Sequence, residues 1–140
     1  MKSLATLIKL QKTRVDEQRL ILVRMQDQLE MVENTIIQLE LQVAREQVAA
    51  EKNHEASLTY GAFVKAAVKH GRELEKQRQI AVAAVDVARQ KLTELFEEQK
   101  RYEIAEQKRV ADEEREIFRR ETIELDEIGG VTHTRNQGDK

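Results

Sequence analysis

The chain has no proline, no cysteine and no tryptophan in 140 residues, and its only aromatic side chains are two tyrosines and three phenylalanines. Without proline nothing locks φ or removes a backbone donor, so long uninterrupted helices are permitted. Without cysteine there is no disulfide, no thiolate metal site and no cysteine nucleophile, a usage that suits a reducing compartment. Charged residues make up 36% of the chain and aromatics 4%. That mixture covers slender helices well but cannot fill a wide globular core, which weighs against a compact enzyme domain. Lys plus Arg total 24 against 26 for Asp plus Glu, so the summed charge provides no drive toward nucleic acid or an anionic membrane. No apolar run approaches the roughly twenty residues of a membrane span, and the expected location is cytoplasmic.

What is present is a seven-residue repeat. Ile8, Val15, Leu22, Leu29, Ile36, Val43 and Ala50 follow one another at a, with Leu4, Met25, Val32 and Leu39 at d and polar residues at d only at Gln11, Gln18 and Glu46. A strict heptad is slightly shorter than two natural helical turns, so the stripe stays against a partner only if two helices wrap with a left-handed twist. The residues from Met1 to Val15 are basic and free of acids, which also fits an import presequence. Leu4, Ile8 and Val15 share the heptad phase of Leu22 and Leu29, and the segment is read as the start of the coil.

A first helix is expected over residues 4–53, capped by Ser3. A bend over 54–59 comes next, because Asn53, His54, Ser57, Thr59 and Gly61 gather turn and cap residues. A second helix is expected over 60–128, with Gly129-Gly130 closing it and a flexible tail over 129–140. The second helix offers Ala67, Ala81 and Ala88 where the first offers bulky residues, and large against small interdigitates better than either against its copy. The fold expected is therefore all-α: one long antiparallel two-helix coiled-coil hairpin, residues 1–128, whose C-terminal helix overhangs. Its core is Ile8, Val15, Leu22, Leu29 and Ile36 against Leu74, Ala81, Val85, Leu92 and Leu95. Residue i of the first helix should face a residue numbered about 112 minus i, leaving Arg109 to Ile128 uncovered. A parallel homodimeric scaffold stays open as an alternative, because Ser57, Val64, Gly71 and Arg78 continue the a series across the bend.

No catalytic constellation is visible. His54, His70 and His133 are far apart in sequence, and Glu51-Lys52-Asn53-His54 is a single copy of a spacing that di-metal bundles use in pairs with further carboxylates. The expectation is no enzymatic activity, no metal and no cofactor. The informative surplus lies off the seam. Ile37, Leu41, Ala44 and Val48 form an outward stripe on the first helix, and Phe63, Val68, Ile80 and Val87 lie off the seam on the second. A two-stranded coil has no use for these, and exposed apolar patches mark docking sites.

The chain resembles the FliJ family, the coiled-coil stalk proteins of the bacterial flagellar type III export apparatus. The residues that carry the likeness are Met1-Lys2-Ser3-Leu4 with Leu7, Leu10 and Val15-Asp16-Glu17-Gln18-Arg19, then Tyr60-Gly61-Ala62-Phe63, and Glu124-Leu125-Asp126-Glu127-Ile128-Gly129. The resemblance implies a non-enzymatic stalk, similar to the paired helices of a rotary ATPase γ subunit. It implies three partners: the hexameric export ATPase, the cytoplasmic ring protein of the export gate, and export chaperones. Contact with the gate or chaperones is expected at Ile37, Leu39, Leu41, Val48, Tyr60 and Phe63. Contact with the ATPase ring is expected at Arg14, Arg19, Arg109, Arg115 and Phe118. Gln42 and Glu46 are polar where other members can carry aromatics. A virulence secretion system has an equivalent stalk, which the likeness leaves as an alternative.

Overall fold

The computed structural model describes residues 3–138, with side chains through residue 131. Met1 and Lys2 of the opening, Asp139 and Lys140 of the expected tail, and the His133 side chain lie outside the described residues. Two helices account for almost all of what is described: α1, Leu4–Lys52, and α2, His54–Gly138. No strand occurs among the described residues, and the arrangement is compatible with a two-helix hairpin.

Ser3 starts α1 as the sequence requires of an N-cap. Its hydroxyl accepts a hydrogen bond from the Thr6 amide at 3.2 Å, and its carbonyl accepts the Leu7 amide at 3.1 Å. The interruption between the helices is one residue, Asn53, and not the six-residue bend expected over 54–59. Asn53 ends one helix and begins the next. Its amide donates to the Ala49 carbonyl at 2.9 Å, which finishes α1, while its side-chain Oδ1 accepts the Glu55 amide at 2.9 Å, which caps α2. The hydroxyls that pointed to a turn are absorbed by the helix itself, since Ser57 donates to the His54 carbonyl and Thr59 to the Ala56 carbonyl.

The far end of α2 also differs from expectation. The helix does not stop at Gly129-Gly130 and continues to Gly138, with no glycine at positive φ among the described residues. Glycine permits the left-handed closing conformation without imposing it; with no proline after the pair, the i to i−4 ladder runs on at a propensity cost of about 1 kcal/mol per glycine. A Cβ at either position would meet nothing within 4 Å, so no close packing explains the pair.

The described chain divides into two compact units. The unit of residues 12–96 contains most of both helices. Its core is Val15, Ala67, Leu74, Ala81, Val85, Ala88 and Leu95. Leu22, Leu29, Ile36 and Leu92 are half-buried. Six of the seven fully covered apolar residues belong to α2, three of them alanines and three the larger Leu74, Val85 and Leu95, while the large apolar seam residues of α1 other than Val15 are half-buried. At Gly71 the helices approach closely enough that an added Cβ would lie 3.7 Å from Leu39 Cδ2, ordinary contact. Gln18, a polar d residue, is buried and donates from Nε2 to the Ala88 carbonyl at 3.1 Å. An alanine leaves that carbonyl reachable, and its second lone pair accepts the bond without breaking the helix ladder.

The second unit comprises residues up to 11 with those from 97 onward. Ile8 is half-buried here. Gln11 is 1% exposed and donates to Glu98 Oε2 at 3.3 Å, while Tyr102 donates to the other oxygen of Glu98 at 3.1 Å. Beyond residue 106 only Ala111 and Glu116 are less than exposed through residue 131.

Candidate functional site

The residues assigned to gate or chaperone contact separate into two kinds. Ile37, Leu41 and Val48 each remain about half exposed on the outer side of α1. Leu39, Tyr60 and Phe63 are half-buried. Leu39 is at d, so it must turn toward α2, and it lines an apolar groove with Glu40, Val43, Val64, Ala67 and Val68. Val68 adds a large exposed apolar side chain from α2. Heptad reading assigned Val43 and Val64 to the seam alone; a helix pair leaves seam residues open along its flanks, and that is the signal by which they join the surface. Glu46 and Gln42 are exposed.

The residues assigned to the ATPase ring are divided between the two units. Arg14 and Arg19 belong to the unit of residues 12–96, and Arg109, Arg115 and Phe118 to the other. Arg14 is exposed. The Arg19 guanidinium lies 5.1 Å from the centroid of the Phe96 ring, a cation–π contact between α1 and α2 that sequence spacing does not announce. Phe118 is 71% exposed.

Several charged side chains from Glu106 to Arg120 bind one another along the helix. Arg109 reaches Glu106 at 2.8 Å and Glu113 at 2.9 Å, Arg115 reaches Asp112 at 3.5 Å, and Glu116 holds both Arg119 at 2.7 Å and Arg120 at 3.2 Å. The hydrogen bond from Arg119 is the main reason the Glu116 carboxyl is lowered to about 2, with Arg120 adding to it. Glu106 is likewise lowered by its bond from Arg109, and Arg109 is raised by the same partner and then by Glu113. Glu106 and Glu116 are half-buried and the other groups are exposed, so the pairs support a helix without anchoring a fold. In the first unit the Glu75 carboxyl is lowered by a bidentate bond from Arg78.

Among the described residues no group of three or more His, Cys, Asp or Glu side chains could hold a metal ion. Among them, too, no helix is long and apolar enough to cross a membrane. Comparison with protein-family models, curated proteins and solved structures finds no match to this chain. The site is therefore characterised by its own surfaces: a half-open apolar stripe on α1 and a solvated, ion-paired stretch of α2.

Proposed function

We propose that this chain is a non-enzymatic stalk and adaptor of a bacterial type III protein export apparatus, the flagellar one in particular. In this reading it links the hexameric export ATPase to the cytoplasmic ring of the export gate and handles export chaperones, from a cytoplasmic position beside the inner membrane. The helices form an antiparallel hairpin, and α2 continues past the start of α1. Support for the antiparallel sense comes from residue numbers that fall on α2 as they rise on α1: Gln18 with Ala88, then Leu39 with Gly71. Both pairs lie within the unit of residues 12–96.

The observation that carries the functional reading is the stripe of Ile37, Leu41 and Val48, large apolar side chains held about half exposed on a helix whose seam is already occupied. Such a surface serves a partner. It coincides with the half of the chain where the family likeness expects the gate and chaperones. The stretch from Arg109 to Ile128, with Phe118 exposed among ion pairs, is the part assigned to the ATPase ring. No chemistry is asked of this chain: the ring hydrolyses ATP, and the stalk transmits the motion.

The test is a pull-down from the source cell with the wild type and an Ile37→Asp, Leu41→Asp variant. Gate or chaperone recovery should be lost while the ATPase is retained. Equal recovery of every partner would refute the docking role of the stripe.

A further inference from the structure

A second apolar surface lies on another flank of the helix pair, away from the stripe. Two adjoining stretches that share Ala84 form one trough, with Ile21, Met25 and Met31 on the α1 wall and Ile80, Ala84 and Val87 on the α2 wall. Only Lys91 among the residues lining it is charged, in a chain that is 36% charged. Ile80 is 71% exposed, Val87 70% and Met31 68%. Depletion of charge with large apolar side chains left in water is the signature of an interface core.

We propose that this trough is the interface of a homodimer, in which a second copy of the chain lies face to face with the first to make a four-helix arrangement. The inference rests on the antiparallel reading of the helix pair and not on the export assignment. Two properties favour a second copy over a foreign helix. The first is shape. The α1 wall is bulky and the α2 wall carries Ala81, Ala83, Ala84 and Ala88. A two-fold axis parallel to the helices lays the bulky wall of each copy over the alanine wall of the other. Ile21 then sits over Ala88 and Val87, and Met31 beside Ile80, so that each of these apolar contacts is made twice by symmetry.

The second is charge. Residues whose numbers sum to about 108 lie level on the two helices, as Gln18 and Ala88 nearly do. The same axis therefore brings Glu17 of each copy to Lys91 of the other, and Arg14 to Glu94. All four residues are exposed. These opposite pairs frame one end of the apolar trough, as a polar rim frames an interface core. Arg24, in the phase of Glu17 and Met31, lies between them along the outer edge of the α1 wall, where a long side chain extends its charge to solvent. The size is adequate: about 18 residues of a helix pair some 20 Å wide present roughly 550 Å² in projection, of the order of the ~800 Å² that each partner buries in a standard interface.

Sedimentation of the full chain tests this. The wild type should sediment at twice the 16.3 kDa chain mass at micromolar concentration. Ile80→Glu with Val87→Glu should give a monomer of unchanged helical circular dichroism, since both side chains are exposed. The Ile37→Asp, Leu41→Asp variant should remain dimeric. Glu17→Lys should weaken the dimer about tenfold, and adding Lys91→Glu should restore it. A wild-type monomer at about 100 µM, or a dimer indifferent to Ile80→Glu with Val87→Glu, overturns the proposal. A parallel coil would also give a dimer mass, so a short bis-maleimide between Leu39→Cys and Gly71→Cys separates the cases. Linkage within single chains supports the hairpin on which the dimer is built, and linkage only between chains refutes both.

Discussion

The two units of the chain use the same helix in opposite ways. Between residues 12 and 96, α2 carries Ala67, Leu74, Ala81, Val85, Ala88 and Leu95 in full burial against α1. After residue 106, α2 is exposed almost throughout, and its regularity is kept by Arg–Glu and Arg–Asp pairs three and four residues apart. Cooperative stability belongs to the first region, where apolar area leaves water. The second holds only local interactions worth a few tenths of a kcal/mol each, and screening by salt reduces them further. A helix can therefore be continuous in geometry while its two ends differ in what makes them ordered. The first region is packed between helices; the second is solvated and held by its own ion pairs.

That contrast can be broken most sharply at Leu74, which is 4% exposed. Leu74→Ala should cost about 2–4 kcal/mol in urea unfolding, from lost burial and an incompletely collapsed cavity. Destabilisation under about 1 kcal/mol would show that α2 is not held by this seam. Gln18→Ala should cost about 1 kcal/mol, because it removes both the bond to the Ala88 carbonyl and the stem that fills the seam. Gln18→Leu should recover much of that loss, since the Ala88 carbonyl keeps its own helix bond. In the second region Phe118→Ser should change global stability by no more than about 0.5 kcal/mol, while, on the function proposed above, weakening capture of the ATPase ring. Equal loss of stability and capture would move Phe118 from surface to core.

The smallest effect is the titration of Glu116. Its folded value of about 2 lies below its ordinary value of 4.5. Stabilisation from a depressed carboxylate is present above the ordinary value and lost as pH falls through the folded one. Amide exchange over residues 109–125 should thus be unchanged from about pH 8 to about pH 5 after correction for intrinsic rates. Protection should then fall between about 4.5 and 2, with a smaller change in high salt. Uniform loss over residues 12–96 in the same window would contradict the separation of the two regions.

Much of the helix pair was legible because heptad phase is a strong signal. Each of the ten residues expected in the core is buried or half-buried, and Ser3 caps α1. The ion pairs Asp112 with Arg115 and Glu116 with Arg120 are readable from spacing alone. The junction was less legible. A cluster of cap residues reads as a wide bend, yet one asparagine with a side-chain oxygen suffices, and neighbouring serine and threonine bond back into the helix. Gly129-Gly130 misleads for a related reason: propensity fixes what a residue tolerates, and the ladder around it decides what it adopts. The Arg19 to Phe96 contact joins residues far apart in the chain and depends on register, which periodicity does not supply. The same holds for Gln18, whose role needs an alanine opposite it.

The central claim is that α1 and α2 of one molecule lie antiparallel within residues 12–96, and a distance measurement tests it most directly. Spin labels at the exposed positions Glu30→Cys and Gln79→Cys, in chains diluted with unlabelled protein, report only separations within a molecule. A hairpin places them level on adjacent helices, about 20 Å apart once label length is added to the 8–10 Å between axes. A pulsed dipolar signal centred there agrees with the account. Labels separated by more than about 60 Å, toward the ~74 Å of one unbroken helix, would contradict it.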